Sequence, residues 1–227
     1  MGGGWKEAVS IADNLAAVEK RMRAACERSG RKRDDVTLLA VSKTFPAARI
    51  DEAIAAGLTH VGENRVQEAR DKKPQVAGAA RWHLIGHLQS NKAKDAVRLF
   101  DMIETVDSVE LAEKIDRAAE TAGKAQDVLL QINVGDEWQK SGVAPADVES
   151  ASRQVRALKG LRLLGLMAIP PIGAPEEARR HFRRLREIRD QIGLVHLSMG
   201  MSEDFEIAIE EGSTIVRIGR AIFGPRG

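Results

Sequence analysis

The chain of 227 residues has no tyrosine and a single cysteine, Cys26. No phenol is available for acid–base chemistry. Neither a disulfide framework nor a zinc site built on several thiolates can form within the chain. No apolar run approaches the roughly 20 residues that span a bilayer, so no membrane partner is expected. The opening MGGGWKEAV lacks the apolar centre of a signal peptide, and Lys6 stands where a myristoylation signal requires Ser or Thr. A cytoplasmic location is the expectation. An excess of one charge is missing too, since 35 Lys and Arg meet 33 Asp and Glu, and no nucleic-acid partner is predicted. The basic run ARRHFRRLREIRD (178–190) carries Phe182, Leu185 and Ile188 at helical spacing, so its arginines read as the outer face of an amphipathic helix. His83 and His87 are four apart, but no cysteine or acidic cluster joins them into a metal set. There is no GxSxG elbow and no P-loop.

What the chain does have is rhythm. Apolar, β-rich runs recur at 35–43, 59–64, 81–87, 102–107, 127–134, 161–170, 195–200 and 213–219. Their interiors are almost continuously apolar, as in strands covered on both faces. Helical segments lie between them, and Gly57, Gly123, Gly160, Gly193 and Gly212 mark helix ends before the next strand. Pro46 is expected in the first turn of one helix, and Asp107 with Glu110 has capping-box spacing at another. Eight alternations after an N-terminal helix (5–29) predict a parallel sheet with right-handed crossovers, closed into a single (β/α)8 TIM-type barrel. The expected layout is one domain, with a helix and lead-in over 1–34 and the barrel over 35–224. An open doubly wound sheet is the alternative, but SKTFPAAR lacks the glycine fingerprint it needs after its first strand.

In such a barrel the functional groups stand at the C-terminal ends of strands. The stretch LLAVSKTF (38–45) ends an apolar strand on Lys43; taken alone, this could be no more than a solvated exit from the strand. LSMGMSEDFEIAI follows strand seven, where Ser198, Gly200 and Ser202 offer hydroxyls and close backbone approach at the loop that commonly holds phosphate in this fold. The same letters can be read as a helix cap. Strand eight ends VRIGRAIFG, with Gly219 and Arg220 beside the same loop. Arg217 lies within that strand, at even spacing from Ile215 and Gly219. A guanidinium there must find an acceptor, either a structural carboxylate or a ligand. An amine, a phosphate cup and a buried arginine at one mouth match the aldehyde, phosphate and ring nitrogen of pyridoxal phosphate.

Taken in order, LLAVSKTFP, GENRVQE, WHLIGHLQSNK, INVGDEWQKSG, GLMAIPP, LSMGMSEDFEIAI and GSTIVRIGRAIFG resemble the pyridoxal-phosphate-binding homeostasis proteins, single-domain relatives of the alanine racemase barrel. The resemblance covers about residues 35–224. It implies an internal aldimine on Lys43 and Arg217 at the pyridine nitrogen. It further implies phosphate held by Ser198, Ser202, Gly219 and Arg220, a loop shaped by Gly200, and a ring pocket lined by Asn64 and His83. The implied function is non-catalytic binding and buffering, storage or delivery of the cofactor, with dependent apoenzymes as transient partners. A racemase is the alternative. Its second domain and its tyrosine have no counterpart in this chain, so a monomer without racemase activity is expected. A third reading is a barrel enzyme whose Lys43 reacts with a sugar phosphate or another aldehyde.

Overall fold

Each of the eight apolar runs carries a strand, only β5 starting one residue ahead of its run: β1 Thr37–Val41, β2 His60–Glu63, β3 Arg81–Leu84, β4 Met102–Val106, β5 Gln126–Gln131, β6 Leu161–Met167, β7 His196–Ser198 and β8 Ile215–Ile218. They pair in parallel, each with its neighbour in sequence, and β8 returns to β1 through Leu38↔Val216 and Leu39↔Arg217. The result is the closed eight-stranded barrel that the alternation predicts. The computed structural model describes residues 10–135, 141–171 and 173–225.

The helices around it are α1 Ile11–Arg28, α2 Ala47–Ala55, α3 Val66–Lys72, α4 Ala93–Leu99, α5 Val109–Thr121, α6 Val148–Arg156, α7 Pro175–Gln191, α8 Phe205–Glu210 and α9 Arg220–Phe223. Local chemistry sets their ends. Ser10 caps α1 by accepting from the Asp13 N–H at 3.1 Å. Ser108, rather than the expected Asp107, caps α5 through the Leu111 N–H at 3.2 Å. Pro46 sits one residue outside α2, not in its first turn. Residues 5–9 of the expected first helix lie outside the described residues. The α7 arginines are paired on the outside: Arg179, Arg183 and Arg186 all meet Glu211, within 3.3 Å. Phe182, Leu185 and Ile188 face inward and are buried, as the amphipathic reading requires. No described helix is long and apolar enough to cross a membrane.

Two apolar layers result from strands covered on both sides. The larger lies between strands and helices. The smaller fills the barrel with Leu39, Val41, Ile85, Met102, Leu129, Met167 and Ile215, so the barrel interior is a packed core. At the N-terminal floor, buried Asp127 accepts from Arg81 at 3.2 Å and from Arg162 at 2.6 Å. The α1 helix lies outside the ring against α8 and α9. It is tied there by the Asn14 amide to the Ile222 carbonyl at 2.9 Å and by Arg31 to the Ile209 and Ser213 carbonyls at 2.8 and 2.7 Å.

Candidate functional site

Period-two alternation places Leu39 and Val41 of β1 inside the barrel, so Ser42 turns outward and Lys43 inward. The strand ends at Val41, and Lys43 occupies the turn beyond it. That turn is held on both sides of the lysine. Ser42 donates through Oγ to Glu63 at 2.6 Å, and its carbonyl accepts from Lys72 Nζ at 2.9 Å. The Thr44 N–H donates to Glu68 at 2.6 Å. Lys72, itself buried, spends its other two donors on Glu63 and Glu68 at 2.6 and 2.9 Å. Thr44 adopts φ 70°, a left-handed conformation disfavoured for a β-branched residue, and this clamp holds it there. Phe45 then stacks on Phe223 at 5.1 Å, joining the turn to α9. Burial raises the pKa of Glu63, against the opposing bonds from Lys72 and Ser42.

A cavity of about 440 Å³ opens at the C-terminal mouth. Lys43, Asn64, Ser202, Arg217, Gly219 and Arg220 line it together, with Val41, Ile85, Ile169 and Met201 as the apolar wall. Six of the nine residues singled out from the sequence therefore meet in one space. Asn64 is met from beside by the loop after β3: a Cβ on Gly86 would lie 2.1 Å from the Asn64 carbonyl oxygen, so only glycine fits there. Gly200 stands behind the cavity at φ 91°, where a Cβ would come within 2.4 Å of Ala208, and its carbonyl accepts the Arg217 N–H at 3.0 Å. It shapes the loop. Acidic groups share the rim. Arg220 pairs with Glu203. Asp204 accepts the Met201 N–H at 2.6 Å, and burial raises its pKa.

His83 and Ser198 do not line the cavity. Both face the barrel interior below it, where they meet Glu104 of β4. His83 Nδ1 is 2.7 Å from Glu104 Oε1, and Ser198 Oγ donates to Oε2 at 2.5 Å. Arg217 Nη1 donates to Ser198 Oγ at 2.7 Å and Nη2 to the Ala168 carbonyl at 2.9 Å. Arg217 therefore touches both the buried network and the cavity. Burial lowers its pKa while the charges of Glu104 and Asp204 oppose that, and it remains a cation. His87 lies apart from His83 and meets Asp107 at 3.2 Å. Sequence reasoning missed Glu104 and the Glu63–Lys72–Glu68 clamp. The available signal for Glu104 was a carboxylate in the apolar run MIETVD, in step with Met102.

The fold is that of the alanine racemase type of barrel: a family profile described as the alanine racemase N-terminal domain matches residues 14–227. An alanine racemase of Clostridium difficile superposes with a TM-score of 0.69 over 92% of this chain and 56% of its own, at 13% identity, a likeness of fold alone. Much nearer in sequence are proteins named pyridoxal phosphate homeostasis protein. That of Pseudomonas aeruginosa is 46% identical over 222 residues, covering 96% of each chain, and that of Aquifex aeolicus 43% over 226 residues, covering 96% and 99%. PipY of Synechococcus elongatus, solved with pyridoxal phosphate bound, is 40% identical with a TM-score of 0.82 over 95% of this chain and 100% of that one. The chain belongs to the pyridoxal phosphate homeostasis protein family.

Proposed function

We propose that this protein holds pyridoxal phosphate at Lys43 and serves to buffer, store or deliver it in the cytoplasm, without turning over amino acids. The observation that carries the reading is the convergence in one cavity of a lysine amine, a guanidinium at depth, and a hydroxyl and second guanidinium at the rim. The donor set fits the group. Lys43 would take the aldehyde end, Arg217 the ring nitrogen, and Ser202, Gly219 and Arg220 the phosphate, with Asn64 beside the ring. When bound, the cofactor supplies an electrophilic aldehyde and an electron-withdrawing ring. The chain's own groups bind and orient it. Arg217 can only donate, so it favours a ring nitrogen that carries no proton. The Glu203–Arg220 pair is exposed and weak, so a phosphate can displace the carboxylate from the guanidinium.

The relatives' naming as homeostasis proteins rather than enzymes agrees with this reading. So does the shortage of a second acid–base group. Racemisation needs a base on one face of the substrate and an acid on the other. No tyrosine exists to fill that role, Cys26 is buried in α1, and His83 has both ring nitrogens engaged. The reading includes a single barrel domain over 35–224, a monomer, and transient contact with apoenzymes.

The direct test is borohydride reduction of cofactor-loaded protein followed by peptide mapping. The pyridoxyl mass is expected on Lys43, and finding it on Lys92 or Lys140 instead would sink the assignment; Lys140 lies outside the described residues. Loaded protein given single enantiomers of alanine, serine and glutamate should leave their chirality unchanged. Turnover on the enzymatic scale of about 1 to 1000 per second would promote the racemase.

A further inference from the structure

A guanidinium buried inside a barrel needs an anion, and among the described residues no carboxylate pairs with Arg217 directly. Of its two bonds inside the barrel, one goes to the Ala168 carbonyl and one to Ser198 Oγ. Arginine has no acceptor atom, so Ser198 must accept from it and turn its own hydrogen elsewhere. That hydrogen points to Glu104 Oε2. On the other side His83 Nδ1 meets Oε1, and His83 Nε2 lies 3.0 Å from His60 Nδ1. With neutral imidazoles, His60 donates to His83 and His83 to Glu104. Both arms of the chain then donate toward Glu104, whose two oxygens accept.

Glu104 is fully buried, with one oxygen on His83 and the other on Ser198. Burial disfavours its charge, but the bonds from His83 and Ser198 and the field of Arg217 outweigh this and depress its pKa. The carboxylate is the counter-ion of Arg217 across one hydroxyl.

We infer that Glu104 is a positioning residue: acting through Ser198, it fixes the orientation of the Arg217 guanidinium so that its remaining N–H groups face the cavity and select a ligand ring with an unprotonated acceptor at that depth. This rests on the cofactor reading above. It also gives Ser198 and His83 work other than lining the pocket. Ser198 relays, and His83 holds the far oxygen of Glu104 so that the carboxylate cannot rotate away. Of this network, Arg217 alone reaches the ligand.

The experiment compares wild type with Glu104→Gln, Ser198→Ala and Ser198→Thr. Two ligands are used, pyridoxal phosphate and its deaza analogue, in which a C–H replaces the ring nitrogen. Wild type should prefer the natural ring, and Glu104→Gln and Ser198→Ala should compress that preference about tenfold or more, the scale of a hydrogen bond from a charged donor. Ser198→Thr restores the hydroxyl and should restore the preference. The second readout needs no ligand: slowly exchanging guanidinium N–H signals of Arg217 in ¹⁵N-resolved NMR of the apo protein, present in wild type and Ser198→Thr, averaged in the other two. Should Glu104→Gln fail to fold, the serine pair carries the test. An undiminished ring preference in Ser198→Ala, or unchanged Arg217 signals, would overturn the inference. Failure of wild type to bind pyridoxal phosphate would overturn the functional reading and the ligand half of this one. The NMR arm would then still decide whether the network orders Arg217.

Discussion

At the scale of single residues, the proposed phosphate end of the site gives the sharpest separation of roles. Replacing Ser202 and Arg220 together by alanine removes a neutral and a charged donor, each bond to a charged group contributing about 1.5–3 kcal/mol. Affinity for pyridoxal phosphate should fall about a hundredfold or more while affinity for unphosphorylated pyridoxal stays level. Equal losses for both, measured by fluorescence titration, would mean that neither residue senses the phosphate. These positions were legible because a (β/α)8 chain announces where its strands end, and Lys43, Ser202, Gly219 and Arg220 all follow strand ends. Arg217 was legible as a charge inside an apolar strand. Glu104 carried the same signal and went unread, because its meaning depends on Ser198, 94 residues away, and no local spacing reveals that pairing.

At the scale of elements, the turn after β1 depends on a helix that lies beyond α2 and β2 in the chain. Lys72 on α3 neutralises buried Glu63 and anchors Ser42, so Lys72→Met leaves an uncompensated carboxylate under the turn. Breaking such a pair costs about 3–5 kcal/mol. Urea denaturation should show that loss, and adding Glu63→Gln should recover most of it, since the neutral amide needs no counter-ion. A double variant no more stable than the single one would show that the turn, not the charge, was the point. This clamp went unread in the sequence, whose spacing carries a signal for only half of it. Glu68 and Lys72 are four apart on one helix face, as any ion pair on a helix would be, whereas Glu63 reads as the last residue of a strand. Helix ends followed the same division: glycine stops were plain, but the choice between Asp107 and Ser108 as a cap turns on one residue of register, which only the backbone direction settles.

At the scale of the whole molecule, the barrel's histidines couple its stability to pH. Burial, with help from His83 and Arg81, lowers the pKa of His60 to about 4, against about 6.5 in an unfolded chain. Between those values the unfolded chain binds a proton that the folded one refuses, so stability rises with pH across that window and is lost toward its acid end. His196 is shifted the same way by its burial. The urea midpoint should be higher at pH 7 than at pH 5, and His60→Gln should shrink the difference. A slope indifferent to that substitution would assign the effect elsewhere.

The charged floor built from Asp127, Arg81 and Arg162 has a kinetic consequence. Among the described residues, a barrel packed inside and closed below offers one doorway. Arrival and departure must then take turns, because an incoming ligand cannot push an occupant out from behind. Exchange becomes a queue whose pace is set by leaving. In a pulse–chase with isotopically labelled pyridoxal phosphate, the rate at which label appears in solution should stay flat as the unlabelled chase is raised. A rate that climbs with the chase would mean that a second route reaches the site.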